Sequence, residues 1–322
     1  MKEIKISKKD ENQRFDKYLK KYFKGATGGF IYKMLRKKNI VLNGKKDDGS
    51  TILNAGDIVN VYFSDETFEK MRCSEESEEY YNYLRSLDYN IDVIYEDDDI
   101  ISVNKPAGIL SQKSKSEDIS INEYLISYLI NEKGYSIHDY MTFHPSVSNR
   151  LDYNTTGVIL AAKTLKGQQN LSFALKHRTI DKYYLCIVAG RVEAEMTLKG
   201  SLIKDEKTNK VYIRDDNSDD IITKIDPIRY NDNVSLLKIH LITGKTHQIR
   251  AHLASVGHPV IGDVKYGDNR QNNIYKKKYN IDSQALHSYI TEYEGIKIVA
   301  PLPDKMYNLI KEEYGDVEFE RA

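Results

Sequence analysis

The residues able to do chemistry gather in two short segments of the chain. In the first, HPSVSNRLDYNTTGVILAAKT, Arg150, Leu151 and Asp152 precede a small-residue turn, Thr155-Thr156-Gly157, and then an apolar run that reads as a buried strand. Asp152 therefore sits on a loop feeding a strand. An aspartate in that place commonly caps amides of its own turn. With a partner to orient it, the same side chain can serve as nucleophile or general base. The second segment, LITGKTHQIRAHLASVGHPVIGDVKYGD, turns at Gly244 and enters a helix. Thr246 is its expected N-cap, and Ile249, Leu253 and Val256 form its apolar stripe. Arg250 lies off that stripe, one turn from His247, and a guanidinium buried there demands a carboxylate partner. Asp152 is a candidate.

Other chemistries are excluded on spacing. Gly244-Lys245-Thr246 resembles the end of a phosphate-binding loop, but that pattern needs a glycine where this chain has Ile239. His247, His252 and His258 lack the spacing and the glutamate of a zinc helix. The two cysteines, Cys73 and Cys186, are far apart, which argues for reduced thiols and against both a disulfide framework and a cysteine-rich metal site. Asp97-Asp98-Asp99 reads as a polar hairpin turn, since no further ligand-spaced carboxylates or glycine follow to build a calcium loop. No metal and no nucleotide cofactor is expected.

The elements that must position these residues follow from composition and pattern. Of 322 residues, 40% are apolar and 30% charged, as in an ordinary globular protein with a large domain and a small one. The polar start, Met1 to Asp10, offers no secretory core, and no apolar run is long enough to span a membrane, so a cytoplasmic location is expected. The net charge of zero is segregated. Residues 1–62 carry 15 basic against 7 acidic side chains, a net of +8, whereas residues 64–99 carry 3 against 13, a net of −10.

In the basic part, Phe15, Leu19, Tyr22 and Phe23 recur at helical spacing, as do Phe30, Met34 and Leu35 after a turn at Gly25 to Gly29. A hairpin follows: Ile40 to Leu42 run into Asn43-Gly44, Asn54 to Asp57 supplies another turn, and Val59, Val61 and Phe63 alternate as one strand face. Lys33, Arg36, Lys37, Lys38, Lys45 and Lys46 decorate the second helix and the turn, either as a solvated face or as a nucleic-acid contact. The order of elements favours the second. The run from RFDKYLKKYF through FIYKMLRKKNIVLNGKK to LNAGDIVNVYF resembles the small alpha-L RNA-binding domain shared by a ribosomal small-subunit protein and some tRNA synthetases. That assigns residues 1–63 to a small α/β RNA-binding domain. Residues 64–90, acidic and free of Gly and Pro, read as a linker, a solvated spacer with some helical character. From Ile91 to residue 322, strand-like runs (Val93 to Tyr95, Ile100 to Val103, Val158 to Ala162, Tyr183 to Val188, Ser235 to Leu241) mix with helical stretches at Asn122 to Ile130 and Thr164 to His177. Without strict βαβ alternation, the expected class is α+β, a mixed, mainly antiparallel sheet with packed helices.

Read together, RLDYNTTG, KYYLCIVAG, TGKTHQIRAHLASVGHPVIGDVKYG and VIYEDDDIISVNKPAGIL, with ALHSY and APLP closing, resemble the RluA-type pseudouridine synthase family, in order and at suitable distances. The resemblance implies an enzyme that breaks the bond between ribose and uracil nitrogen, rotates the base, joins its carbon 5 to the sugar and removes one proton, consuming no cofactor. It implies Asp152 as the catalytic aspartate, nucleophile or base. Tyr184 in Lys182-Tyr183-Tyr184 would be the active-site tyrosine, with Tyr183 the alternative, Arg250 the partner of the aspartate, and Arg150 the residue beside the flipped nucleotide. Thr156 stands where serine is commoner, and Asn149 where some members have histidine. The implied partner is structured RNA, ribosomal RNA first, bound by a monomer. A non-catalytic RNA-binding or ribosome-assembly protein on the same fold is the alternative, and it would need none of Asp152, Tyr184 and Arg250. A deaminase fails, because its zinc site takes a close cysteine pair.

Overall fold

The apolar spacing of the first sixty residues builds a small unit with a core of its own. The computed structural model describes residues 1–72, 75–205, 210–214 and 218–319. Strand β1 (Lys2–Lys5) leads to helices α1 (Phe15–Tyr22) and α2 (Gly28–Arg36), then to β2 (Ile40–Leu42) and β3 (Ile58–Val61). The three strands form an antiparallel sheet in the order β1-β3-β2. Phe15, Tyr18, Leu19, Phe23, Ile31 and Leu35 close over Val59 and Val61. Thr27 caps α2 by accepting the Phe30 amide at 3.3 Å. Strand β1 was not expected from the pattern, because only Ile4 of its four residues is buried and period two needs a longer run to show. Phe63, expected on the strand face, lies beyond the end of β3 and packs against the rings of Phe23 and Phe30.

The acidic segment departs from a solvated spacer. It forms α3 (Asp65–Arg72) and α4 (Glu75–Ser86), with Phe68 buried in the first core and Leu84 in the core of the larger unit. Tyr80 and Tyr81 pack against that larger core, and the Tyr81 hydroxyl donates to the Tyr135 carbonyl at 2.9 Å. A narrow stripe at helical spacing, Tyr80, Tyr81 and Leu84, is thus enough to dock a helix whose composition is acidic. Cys73 lies outside the described residues. Cys186 is buried and free, and burial pushes its thiol up.

The larger unit runs β4 (Val93–Glu96), β5 (Ile100–Lys105), α5 (Ile121–Lys133), α6 (Ile137–Thr142), β6 (Ser146–Val147), β7 (Thr156–Ala162) and α7 (Leu165–His177). It continues with β8 (Asp181–Ala189), β9 (Met196–Asp205), β10 (Lys210–Arg214), β11 (Ile221–Tyr230), β12 (Val234–Leu241) and α8 (Gln248–Ser255). It ends with α9 (Asn269–Tyr279), β13 (Leu286–Tyr293), β14 (Ile296–Val299) and α10 (Asp304–Tyr314). One 11-stranded sheet follows the order β10-β9-β11-β12-β8-β13-β7-β5-β4, with β14 beside β13 and β6 beside β7. Among the described strands only the β13–β7 pair is parallel, so the sheet is the mixed, mainly antiparallel one of an α+β fold. Strand alternation sorts the core into layers: Tyr184, Cys186 and Val188 of β8 face α5 and α8, whereas Leu185, Ile187 and Ala189 face α9 and α10. The Asp97 carboxylate accepts the amides of Asp99 and Ile100 at 2.8 Å, closing the β4–β5 turn. No helix among the described residues is long and apolar enough to cross a membrane.

The start of β7 is a point of close backbone approach in this sheet. Gly157 has φ +106, and a Cβ placed there would stand 2.1 Å from the Ser288 carbonyl oxygen in β13. Both the backbone conformation and the parallel register of Gly157 with Ser288 exclude a side chain. Gly157→Ala is expected to lower the unfolding free energy by about 3 kcal/mol or more, read by denaturant titration. A loss under about 1 kcal/mol would mean that β7 and β13 separate freely.

Candidate active site

Asp152 lies in the loop between β6 and β7, and that loop is held by its backbone. Lys105, at the end of β5 and wholly buried, donates to the carbonyls of Pro106, Tyr153 and Thr155 at 2.9, 2.8 and 2.9 Å. Burial pulls its ammonium down to about 7, with the Asp152 charge opposing. On the other side of Asp152, the Ser111 hydroxyl donates to the Leu151 carbonyl at 2.9 Å and accepts its amide at 3.0 Å. The turn closes through the Thr155 amide on the Asp152 backbone carbonyl at 3.0 Å. The Asp152 carboxylate is therefore not the turn cap, and it extends toward α8.

Helix α8 starts differently from the expected Thr246 cap. His247 precedes it in the left-handed region at φ 55 with no side-chain cap bond, and the side chain of Gln248 ties the first turn to the preceding loop and to the sheet. The Gln248 carbonyl oxygen accepts from the Lys245 amide at 3.2 Å and from the Thr243 hydroxyl at 2.9 Å. Its amide nitrogen donates to the Ile222 carbonyl and the Thr223 hydroxyl of β11 at 3.1 and 3.0 Å. Thr223 also meets His252 Nδ1 at 2.8 Å, so one face of α8 is tied to the sheet by polar bonds. Burial lowers the His252 pKa to about 4. Ile249 and Leu253 are buried as expected, but Val256 is the exposed residue just past the helix.

This rotation points Arg250 at two carboxylates. Its Nη1 donates to Asp152 Oδ2 at 2.6 Å, while Nε and Nη2 grip Asp263 Oδ2 and Oδ1 at 2.7 and 2.9 Å. Asp263 Oδ1 also accepts the amides of Lys265 and Tyr266 at 2.8 and 3.1 Å. The Asp263 and Arg250 side chains are 0% and 7% exposed, and that of Asp152 is 22% exposed, so the three-residue cluster opens toward solvent mainly at Asp152. Burial works against both buried charges. The Arg250 bonds outweigh it at Asp263, which stays below the usual carboxylate range, and the two carboxylates together raise the guanidinium.

Tyr184 faces the same layer as Leu151 and Ile249, and burial, with the Asp152 charge, pushes its phenol up to about 12. Tyr183 faces the opposite layer, stacked on His240. Arg150 is exposed beside Leu151 and makes no ion pair among the described residues. Lys33, Arg36, Lys37, Lys38, Lys45 and Lys46 are all exposed on the small unit, and none has an ion-pair partner among the described residues. Also among the described residues, no group of three or more His, Cys, Asp or Glu side chains is placed to hold a metal. Reading the sequence missed Asp263 and Lys105, both inside quoted motifs. A guanidinium that must be buried with three donors in use needs more than one acceptor, which was the available signal.

Among solved structures, the human protein named RNA Pseudouridylate Synthase Domain Containing 4 superposes with a TM-score of 0.53 over 73% of this chain and 95% of its own, at 18% identity. That likeness shows the fold. A family model described as RNA pseudouridylate synthase matches residues 99–255. The ribosomal large subunit pseudouridine synthase C of Rickettsia typhi is 31% identical over 300 residues, 90% of this chain and 94% of its own. An uncharacterized RNA pseudouridine synthase of Mycoplasma capricolum is 28% identical over 309 residues, 93% of this chain and 97% of its own. The chain belongs to the RNA pseudouridylate synthase family, of the RluA type, and is an RNA-modifying isomerase.

Asp263 stands behind Arg250, on the side away from Asp152, and its effect is testable. Asp263→Asn leaves the buried guanidinium with one anionic partner and is expected to cost about 3 kcal/mol of stability. It should also slow pseudouridine formation by tenfold or more at saturating RNA. Thermal melting and single-turnover rates check both; an unchanged rate would separate Asp263 from the site.

Proposed function

We propose that this enzyme isomerises uridines of large-subunit ribosomal RNA, with Asp152 as the essential carboxylate. The observation that carries the proposal is the Arg250–Asp152 contact at 2.6 Å, in which an enclosed guanidinium holds a carboxylate whose far side is open. A carboxylate held this way meets the ribose of an extruded nucleotide already oriented, as nucleophile or as base. Its partner carries the opposing charge and takes no part in bond making. Tyr184 faces the same cleft with its phenol protonated, suited to take the carbon 5 proton only while passing on its own. Arg150, exposed on the same loop, is assigned a place beside the flipped nucleotide. The reaction is an isomerisation, so the protein supplies no oxidant, reductant or cofactor. Extruding the base costs roughly a few kcal/mol, and contacts elsewhere offset it.

Those contacts are assigned to residues 1–63 as an RNA-binding domain, with Lys33, Arg36, Lys37, Lys38, Lys45 and Lys46 as its phosphate contacts. Their exposure, with no ion-pair partner among the described residues, leaves all six charges available to phosphates and supports this. Ribosomal RNA is favoured by relatives named ribosomal large subunit pseudouridine synthase C that match nearly the whole chain. Such an enzyme would act in the cytoplasm, as a monomer.

Asp152→Asn is expected to abolish pseudouridine formation and leave RNA affinity within a few-fold, because asparagine keeps the shape but not the charge. Release of tritium from carbon 5 of uridine in large-subunit RNA fragments reads the reaction. Release at the wild-type rate would show that the carboxylate is not needed. Replacing Lys33, Arg36, Lys37 and Lys45 together by Gln is expected to flatten the dependence of log affinity on log salt by about 3, at roughly 0.7 to 0.9 per phosphate contact. An unchanged slope would remove these residues from the RNA interface.

A further inference from the structure

One polar group in the cleft has no use in the reaction as proposed so far. His247 sits at the mouth of α8, its side chain 16% exposed, with Nε2 3.9 Å from Asp152 Oδ2. That distance is too long for a hydrogen bond, and Nε2 bonds nothing else among the described residues. Its other nitrogen is occupied: Nδ1 is 3.0 Å from the Tyr266 hydroxyl. That hydroxyl in turn accepts the backbone amide of Val211 in β10 at 2.9 Å. A phenol oxygen accepting an N–H keeps its own proton free to donate, and Nδ1 is the acceptor in reach. The chain Val211 amide to Tyr266 hydroxyl to Nδ1 therefore leaves the imidazole proton on Nε2, directed into the cleft.

The surrounding charges keep the ring from taking a second proton. Burial disfavours the imidazolium, Arg250 and Lys265 push the same way, and Asp152 and Asp263 oppose them, with the balance below the usual histidine value. The left-handed backbone at φ 55 is unfavourable for a non-glycine residue and is the conformation that carries this ring beside Asp152.

We propose that His247 is a further catalytic residue, a neutral imidazole locked as an Nε2–H donor that hydrogen-bonds a uracil oxygen of the flipped uridine. When the bond between ribose carbon 1′ and base nitrogen breaks, its electron pair stays with the base, and the charge spreads onto the uracil oxygens. A fixed neutral donor stabilises that charge without repelling Arg250, and without giving Asp152 a second cation that would blunt it. Tyr266 is then a positioning residue, setting the tautomer through its hydroxyl while its ring lies 5.2 Å from the Arg250 guanidinium.

The proposal rests on the pseudouridine reaction assigned above, and its test has arms that separate the two. With the full chain, His247→Ala is expected to slow single-turnover pseudouridine formation about 100-fold, the scale of one lost oxyanion donor, with RNA affinity within a few-fold. His247→Gln, whose amide nitrogen reaches the place of Nε2, should recover at least tenfold of that loss. Tyr266→Phe, which keeps the imidazole and frees its tautomer, should cost about tenfold and carries the rate test if the Ala variant fails to fold. Nitrogen-15 spectra of histidine-labelled protein, assigned with the Gln variant, should show His247 neutral with its proton on Nε2 at pH 7. A wild-type rate in His247→Ala or Tyr266→Phe, a Gln variant as slow as Ala, or an imidazolium or Nδ1–H form at pH 7 would each overturn the proposal. Wild type that yields no product from RNA it binds would overturn the parent reading along with it.

Discussion

Arg250 is the residue on which the cleft depends. It is enclosed, it carries a charge that cannot be given up, and it uses three of its donors on two aspartates. Burying such a group gains little net stability, because desolvating one cation and two carboxylates costs about as much as their attraction returns. What the arrangement provides is position. Asp263, itself fixed by two backbone amides, takes one edge of the planar guanidinium, and the remaining Nη1 is left in a single place and direction. Asp152 is held there, and it is mainly there that the charged cluster opens to solvent.

The fold brings the two sides of this contact together by separate means. On one side, Lys105 and Ser111 clamp the backbone either side of Asp152, so that the carboxylate is presented from a loop with little freedom of its own. On the other, Gln248 and His252 bind the buried face of α8 to β11 and turn Arg250 toward the loop. Glycine at 157 lets β7 meet β13 closely enough for the loop to sit over β8, where Tyr184 faces it. Each of these is a polar or steric constraint inside an otherwise apolar core, and none would be chosen for stability alone.

Much of this was legible in the residue order, and the failures share a cause. Helices α1, α2, α5 and α7 and strands β5, β7, β8 and β12 follow from plain periodicity, and an off-stripe arginine on α8 already asked for a carboxylate. Periodicity does not report side chains that act on backbone. Lys105 reads as a strand-end lysine, Gln248 as a surface residue and His247 as a helix residue, because their roles arise only when distant carbonyls and amides come near. The same limit hid the docking of α4, where three aromatic and aliphatic positions outweigh a composition dominated by glutamate. Val256 was assigned to the α8 stripe because the spacing continues past the residue where the helix stops.

The central claim is that the Asp263 charge acts on the reaction through Arg250, and that the main work of Arg250 is to place Asp152. A double-mutant cycle on single-turnover pseudouridine formation tests it directly, using Arg250→Met, Asp263→Asn and the two combined, at RNA concentrations that saturate each protein. The account predicts that the combined variant is no slower than Arg250→Met alone, since asparagine at 263 can still accept the Lys265 and Tyr266 amides and, with the guanidinium gone, the lost charge has no partner to orient. Losses that multiply would contradict it, because Asp263 would then reach the reaction by a route that does not pass through Arg250.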